Sequence, residues 1–318
     1  MLLSIIIPCF NSGKYISSTL DMLTHQKLDD CEVIIVNDGS TDNTSEICQG
    51  YTEKYANIKI IDKENEGVSV ARNIGIEKSN GKYVYFLDSD DTLEPQTLEF
   101  YRQVLNSNQD AVFFAFGYYS KYNGKLLNDY SYKAYDNQKI EQIMLKQSFL
   151  SKKLCFHICS CICEKEFLIN NHIKFTEGLK IGEDIEFLLK ILSCNPECFY
   201  SARHCFVYLI RNDSVMQGYK SYSLLQWNSF LVNLELQSLF QEENIVNYFN
   251  FFISNSYISN LIYYLKSDTR SKEINNNFKR FRYVLNRKIP TGNIKRFIII
   301  KIFRFIPLTL LFWIFKKV

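Results

Sequence analysis

The sequence lacks a basic N-terminal leader, and it lacks the paired C-x-x-C knuckles of common zinc sites. Its first residues, MLLSIIIPCF, pass directly into a strand-like run, so we expect them to belong to the folded domain and not to a signal peptide. Ten cysteines without such a peptide favour a reducing compartment, the cytoplasm. Cys155, Cys159, Cys161 and Cys163 alternate as strand residues do, which favours buried free thiols over a zinc site.

Acidic residues are absent after Glu273, so the chain ends in a basic tail. From Lys279 onward there are eleven Lys or Arg residues, while the net charge of the whole chain is only +3. The part before the tail is therefore negatively charged overall. Such a body would repel a polyanion, so we expect no nucleic-acid partner, although the basic, aromatic stretch Phe278–Tyr283 keeps that weaker alternative open.

The tail also lacks an apolar run long enough to cross a bilayer. The longest run without charge, Phe305–Phe315, has eleven residues, and a spanning helix needs roughly twenty. Lys301 and Arg304 share one helical face, opposite Ile298 and Ile302. This pattern is typical of helices that lie in a membrane interface, and packing on the body of the protein or on a partner subunit is the alternative.

Strand and helix signals alternate through the first half of the chain. The predicted strands are 3–7, 32–36, 58–62, 83–87 and 111–116, and the predicted helices between them are 14–23, 41–55, 69–78 and 95–106. Farther on, we expect helices at 139–150, 165–171 and 182–193, strands at 156–164 and 206–210, and helices from 221 onward. The pattern predicts an α/β fold with a mixed, mainly parallel sheet flanked by helices, followed by a helical amphipathic extension.

Three carboxylates follow the fourth predicted strand in the stretch YFLDSDDTLEP. Asp88, Asp90 and Asp91 fall on the loop between this strand and the next helix, where ligands bind in open sheets of this kind. Their mutual repulsion has to be offset by an arginine, a metal ion or backbone donors. The stretch therefore predicts a cation at this edge of the sheet.

Other polar residues are predicted at the same edge. Asp38 follows the second strand and is placed to accept a hydrogen bond from a base or sugar, while a plain turn is the alternative. Arg72 lies in the first turn of a helix after Gly67 and projects toward the carboxylates. Glu183 and Asp184 begin a helix, where acids ordinarily compensate the helix dipole.

Taken in order, these segments resemble the family 2 glycosyltransferases, enzymes of the GT-A fold that use nucleotide sugars. The matching stretches are SIIIPCFN at 4–11, VNDGSTD at 36–42, NEGVSVARNIGI at 65–76, LDSDD at 87–91 and GEDIEF at 182–187. The ordered set is specific although each piece alone is weak. The resemblance implies a GT-A nucleotide-sugar-binding catalytic domain over 1–215, followed by a helical C-terminal region over 216–318.

The resemblance also implies roles for individual residues. The D-x-D pair would hold Mn²⁺ or Mg²⁺ against the donor diphosphate, with Asp90 as direct ligand, Asp88 contacting ribose or metal, and Asp91 as a neighbour. Asp184 matches the general base, with Glu183 beside it. The implied donor pocket is lined by Pro8, Phe10, Asn11, Asp38, Arg72 and Asp88. Many relatives have a His after the last strand that contacts the metal or the diphosphate, whereas this chain has YLIRNDSVMQ there. The resemblance leaves two candidates for the positive charge at this place, Arg211 and the nearby His204.

The implied function is an inverting, metal-dependent transfer of a hexose or N-acetylhexosamine from a nucleotide sugar, with UDP-sugars favoured. The acceptor would be a lipid-linked oligosaccharide in bacterial capsule, exopolysaccharide or cell-wall glycan synthesis. The protein would then sit at the inner face of the cell membrane through residues 279–318. The alternatives are a non-catalytic sugar-nucleotide-binding scaffold subunit, or an enzyme that glycosylates polyprenyl phosphate. A homo-oligomer is compatible with each of them.

Overall fold

The computed structural model describes residues 1–210, 222–268, 271–291 and 294–314. The chain divides into two compact units, one made of residues 1–142 with 156–211 and the other of residues 143–155 with 212–318. The predicted domain boundary at 215 lies outside the described residues, so the division into catalytic and membrane-associating regions stays a prediction.

The first unit is built on one ten-stranded sheet. Its strands are β1 (Leu3–Cys9), β2 (Cys31–Asp38), β3 (Ile58–Lys63), β4 (Tyr83–Phe86), β5 (Thr92–Leu93), β6 (Phe113–Tyr122), β7 (Lys125–Tyr130), β8 (Gln138–Ile140), β9 (Cys161–Glu164) and β10 (Cys198–Ile210). The main path runs β3-β2-β1-β4-β9-β6-β10-β5, with β7 beside β6 and β8 beside β10. Strands β3, β2, β1 and β4 are parallel, β6 and β10 are parallel, and the remaining pairs are antiparallel.

Helices connect these strands and continue after them. They are α1 (Ile16–Thr24), α2 (Thr44–Thr52), α3 (Val68–Lys78), α4 (Thr97–Ser107), α5 (Gln142–Leu150), α6 (Lys165–Asn170), α7 (Glu183–Ser193), α8 (Leu224–Glu235), α9 (Glu243–Lys266), α10 (Lys272–Phe281), α11 (Ile294–Phe305) and α12 (Leu308–Ile314). Short 3₁₀ turns occur at Lys133–Tyr135, Ile158–Ser160, Leu236–Leu239 and Arg282–Asn286. The predicted mixed α/β sheet flanked by helices, with helices after it, is confirmed.

The first strands could be predicted from the sequence because they are buried and therefore contain apolar runs. Every residue of β1 and β2 is buried, as expected for parallel strands covered by helices on both faces. In β7 five of the six residues are exposed, so its sequence carries no apolar alternation and the strand was not predicted. The predicted strand 156–164 is a strand only over β9, because Ile158–Ser160 forms a 3₁₀ turn.

All ten cysteines lie among the described residues and are free. Eight of them are buried, including Cys159, Cys161 and Cys163 in the group that resembled a zinc site, and Cys155 and Cys194 are half-buried. Burial raises the pKa of Cys161 and of its neighbour Cys163 above the ordinary thiol value. Protonated thiols of this kind behave as small apolar side chains in a core.

The second unit has a core of aromatic side chains. Trp227, Phe230, Tyr257 and Phe278 are buried and contact one another edge to face or tilted. Tyr257 donates a hydrogen bond from its hydroxyl to the Phe278 carbonyl over 2.6 Å, which satisfies the polar atom inside this core.

None of the helices formed by the described residues combines the length and the apolar character that crossing a bilayer requires.

Candidate active site

Polar side chains gather where parallel strands of the sheet end. Cys9 at the end of β1 pairs with Asn37, and Ile6 pairs with Phe86 at the end of β4, so the loops that follow these strands lie at one edge. Asp38 ends β2, and Asp88 comes two residues after β4. Ligands bind at this edge in open α/β sheets.

Asp38 is buried and accepts hydrogen bonds from the end of β3 and from the loop before α3. Its Oδ1 accepts from Lys63 Nζ at 2.7 Å and from the Glu66 amide at 3.0 Å, and its Oδ2 accepts from the Gly67 amide at 2.8 Å. Gly67 has φ of 97°, a conformation that glycine adopts without strain, and α3 begins directly after it. Asp38 therefore fixes the turn that starts the helix, a role beyond the base recognition that the resemblance implies.

The end of β1 and the residues after it lie next to Asp38 at this edge of the sheet. Pro8 is buried in the strand, whereas the ring of Phe10 is 51% exposed. Asn11 has φ of 50°, and its Oδ1 accepts from the Thr41 amide at 2.8 Å. Phe10 thus offers an open aromatic surface, while Asn11 ties its loop to the loop after β2.

Arg72 is buried beneath the carboxylates, with only 3% of its surface exposed. Its Nη2 donates to Asp88 Oδ1 at 2.9 Å, and its Nη1 donates to Glu183 Oε1 at 3.1 Å. Burial disfavours its charge, but Asp88 and Glu183 outweigh this effect and raise the pKa of Arg72. The sequence predicted a cation beside the aspartates, and this guanidinium meets that need for Asp88.

Aromatic packing holds Arg72 in place. The guanidinium carbon lies 5.3 Å from the ring centre of Phe175, which stacks on Phe187 at 3.9 Å between ring centres. The side chain of Asn73 forms two hydrogen bonds with the Phe175 backbone, at 2.9 and 3.0 Å. Helix α3 thereby fixes the segment that leads to α7 and to its first residues.

Glu183 and Asp184 form the first turn of α7. Gly182 precedes them with φ of 79°, which lets the chain turn sharply into the helix. Burial and the charge of Asp184 raise the pKa of Glu183, and Arg72 opposes that rise. Asp184 Oδ1 accepts from the Ile185 amide at 2.8 Å, and its side chain is half-exposed. Glu183 is thus tied to the site, while Asp184 is reachable by a ligand.

The aspartates after β4 offer oxygen ligands of differing exposure. Asp88 and Asp90 are half-buried, whereas Asp91 is buried and its Oδ1 accepts from the Leu209 amide at 3.0 Å. One ligand atom each from Asp88, Asp91 and Cys159 lie within 4.8 Å of one another. Burial raises the pKa of Cys159 well above the ordinary value, so its thiol is a poor ligand for a hard cation. The carboxylates fit Mg²⁺ or Mn²⁺, which need only one or two of them together with phosphate oxygens.

His157 belongs to this site and was missed in the sequence. Its Nδ1 accepts from the Cys159 amide at 3.2 Å, and its ring stacks on Phe206 at 4.9 Å. Burial lowers the pKa of His157, although the charges of Asp88 and Asp184 favour the protonated form. Burial alone would raise the pKa of Asp88, but Arg72 and then His157 lower it. His157 caps the 3₁₀ turn Ile158–Ser160. The sequence around it predicted a strand, so no local pattern pointed to this position.

Arg211 and His204 were the two candidates for the positive charge that contacts the metal or the diphosphate. Arg211 lies outside the described residues, so its predicted contact with diphosphate stays a prediction. His204 lies in β10, and its Nε2 is 2.9 Å from Asp129 Oδ1 in β7. The structure therefore pairs His204 with Asp129.

Comparison with known proteins identifies the family. The sequence profile of Glycosyl transferase family 2 matches residues 4–169, just over half of the chain. The chain belongs to glycosyl transferase family 2. The predicted family is thereby confirmed. The match includes Asp38, Arg72 and the three aspartates after β4, and it ends before Glu183.

Similar proteins support this assignment. Glycosyltransferase GlyG of Streptococcus pneumoniae serotype 4 is 31% identical over 227 residues, which is 68% of this chain and 73% of GlyG. Glycosyltransferase GlyA of the same organism is 29% identical over 67% of this family 2 chain, which spans only 31% of GlyA. A crystal structure of S. aureus TarS 1-349 in complex with UDP-GlcNAc has a TM-score of 0.73 and 21% identity, over 91% of this chain and 82% of that one. This likeness shows the GT-A fold.

Proposed function

We propose that this family 2 glycosyltransferase is an inverting, metal-dependent enzyme that transfers a hexose or N-acetylhexosamine from a UDP-sugar. The observation that carries the proposal is the pair of bonds from Arg72 to Asp88 and Glu183. It brings the D-x-D loop and the start of α7 to one site, although they are far apart in the chain. The UDP-GlcNAc bound by the TarS structure supports a UDP-sugar as donor.

The two carboxylates at the start of α7 have separate tasks in this reaction, because Asp184 is half-exposed and the Glu183 side chain is only 14% exposed. Asp184 accepts the proton of an acceptor hydroxyl, whose oxygen attacks the anomeric carbon as the bond to the diphosphate breaks. Attack opposite the leaving group inverts the configuration at that carbon. Glu183, held by Arg72, positions the first turn of α7 so that Asp184 faces the acceptor.

Asp90 and Asp88 would hold the divalent cation, with Asp91 supporting the loop from beneath. When bound, Mg²⁺ or Mn²⁺ offsets negative charge on the departing diphosphate. Asp38 and Phe10 would contact the nucleoside, Asp38 through a carboxylate oxygen and Phe10 through its exposed ring. Arg72 would act through Asp88 and Glu183, since both of its terminal nitrogens are already bonded.

The acceptor we propose is a lipid-linked oligosaccharide of a bacterial capsule, exopolysaccharide or cell-wall glycan. An acceptor of this kind presents its sugar at the cytoplasmic face of the cell membrane. The basic residues within 279–318 would hold the enzyme at that anionic surface.

A donor panel tests the proposal. UDP-, GDP- and dTDP-sugars are each incubated with the protein, Mn²⁺ or Mg²⁺, and a bacterial membrane extract as acceptor source, and released nucleotide diphosphate is measured. We expect one UDP-sugar to be turned over and a chelator to abolish its turnover. If no donor is turned over, a sugar-nucleotide-binding scaffold becomes the better account. If the product sugar is attached directly to lipid phosphate, the acceptor is polyprenyl phosphate.

A further inference from the structure

Large apolar side chains are concentrated at the surface of residues 294–313. Of the nineteen that are exposed among the described residues, seven lie in this segment. These seven are Ile294, Ile298, Ile299, Ile302, Phe305, Leu310 and Trp313. A contiguous exposed apolar surface commonly marks a place where a protein binds a partner or a membrane.

Four of these side chains form one line along α11, which we call the apolar strip. Ile294, Ile298, Ile302 and Phe305 are 70%, 49%, 48% and 76% exposed. With about 100° of rotation per residue, they fall within an arc of about 80° on the helix. Ile300 lies on the opposite side of the helix and is 1% exposed. The helix therefore has two apolar sides, and only one of them is packed on the protein.

Basic side chains border the apolar strip. On the same helical projection, Lys295 and Lys301 lie about 20° beyond its two edges, so Lys301 borders the strip and is not opposite Ile298 and Ile302 as predicted. Lys295 is exposed and Lys301 is half-exposed. No Asp or Glu follows Glu273 in the sequence, so no acidic residue of the tail offsets these charges. An apolar strip bordered by lysines is the arrangement of helices that lie flat in an anionic membrane interface.

The helix that carries the strip is fixed to the rest of the second unit. Arg296 donates from Nη1 to Asn255 Oδ1 at 2.7 Å. Arg282 donates from Nη2 to the carbonyls of Phe303 and Arg304, at 3.1 and 3.2 Å, and also to the carbonyl of Ile306. These bonds hold α11 and the turn after it, so the strip is already formed before anything binds.

We propose that the apolar strip and its two lysines dock the protein on an anionic lipid surface. The inference rests on the proposed function, which places residues 279–318 at an anionic membrane surface, and deepens it by assigning the docking to the apolar strip. Charge favours lipid over a second copy of the chain. A symmetric contact through this strip would bring Lys295 and Lys301 of one copy against those of the other. Phosphate headgroups instead supply the complementary charge on both sides of the strip.

Vesicle flotation of the full chain tests the inference. Vesicles of phosphatidylglycerol and phosphatidylcholine in equal parts are compared with vesicles of phosphatidylcholine alone. We expect the double variant Ile298→Glu/Ile302→Glu to lower binding to the anionic vesicles at least tenfold. The matched control is Leu126→Glu/Leu127→Glu, which places the same charges at exposed leucines of β7 and should leave flotation unchanged.

A second variant tests the charges without disturbing the apolar packing. Lys295→Gln/Lys301→Gln should lose most of the difference between anionic and neutral vesicles, and wild-type binding should weaken as salt rises. Wild type that stays unbound to anionic vesicles, or an Ile298→Glu/Ile302→Glu variant that floats as wild type does, would overturn the inference. So would a wild-type dimer that this variant dissociates in the absence of vesicles. Release of nucleotide diphosphate from a soluble donor is measured in parallel, so loss of docking and loss of catalysis are told apart.

Discussion

Arg72 binds Asp88 through Nη2 and Oδ1 at 2.9 Å, and its other terminal nitrogen binds Glu183 at 3.1 Å. Arg72 comes from α3, Asp88 from the loop after β4, and Glu183 from the start of α7. One buried cation thus joins three elements of the sheet edge.

Removing this cation should destabilise the protein. Arg72→Met leaves the carboxylates of Asp88 and Glu183 facing each other without a counter-charge, at a cost of about 3 kcal/mol in the free energy of unfolding. Urea denaturation followed by circular dichroism measures the change. The control is Arg102→Met, which breaks bonds to the more exposed Asp30 and Glu99 and should cost less than Arg72→Met. Equal losses in the two variants would contradict the account of Arg72.

A separate prediction concerns acid stability, away from the site. Glu32 in β2 is 1% exposed and accepts hydrogen bonds from Ser4, Asn80 and Lys59. Burial alone would raise the pKa of Glu32, but these bonds lower it to about 2, from an ordinary 4.5. Because the folded-state pKa is the lower one, the carboxylate stabilises the fold above pH 4.5, and this stabilisation is lost as the pH falls toward 2.

The size of this effect follows from the shift. Full ionisation of Glu32 is worth about 3 kcal/mol of folding free energy, and this contribution disappears over that acidic range. Urea unfolding at several pH values from neutral to acid should show a steeper loss in wild type than in Glu32→Gln. If both proteins lose stability with the same slope, the assigned hydrogen bonds do not hold the charged carboxylate.

The sequence predicts local features of this fold better than distant ones. Strands β1, β2, β3 and β4 were predicted within about two residues at each end, because continuous apolar runs bounded by turn residues are local signals. The 13-residue strand β10 was predicted only over its last five residues. Its earlier part pairs with β6 and β8, partners that are distant in sequence and leave no periodic mark.

In the candidate site too, local features were predicted and contacts between distant residues were not. The loop positions of Asp38 and the three aspartates could be predicted, because each follows an apolar strand. The sequence placed Arg72 on the correct side of the sheet but could not pair it with Glu183, which lies 111 residues away. His157 was missed entirely, since its place beside Asp88 depends on tertiary packing against Phe206.

Metal dependence is tested at Asp90, a half-buried aspartate of the D-x-D pair that does not bind Arg72. Asp90→Asn removes one negative charge but keeps the shape of the side chain and the Arg72–Asp88 pair, so we expect the variant to stay folded, as urea denaturation would show. Metal-stimulated release of nucleotide diphosphate should fall at least about 100-fold, since the cation's stabilisation of the leaving group is worth several kcal/mol. Asp129→Asn, beside His204 in β7, is the control and should keep its metal response. An Asp90→Asn enzyme with wild-type metal response would exclude Asp90 as a ligand.

We propose that Asp184 accepts the acceptor proton at a site that Arg72 assembles. The most direct test of this proposal is transfer by Asp184→Asn, measured with the donor that wild type uses, together with calorimetric binding of UDP. We predict that transfer falls by about 100-fold or more while the affinity for UDP stays roughly unchanged, because the base acts on the acceptor. Glu177→Gln, at an exposed acid of the preceding loop, should transfer as wild type does. Wild-type transfer by Asp184→Asn would contradict the account.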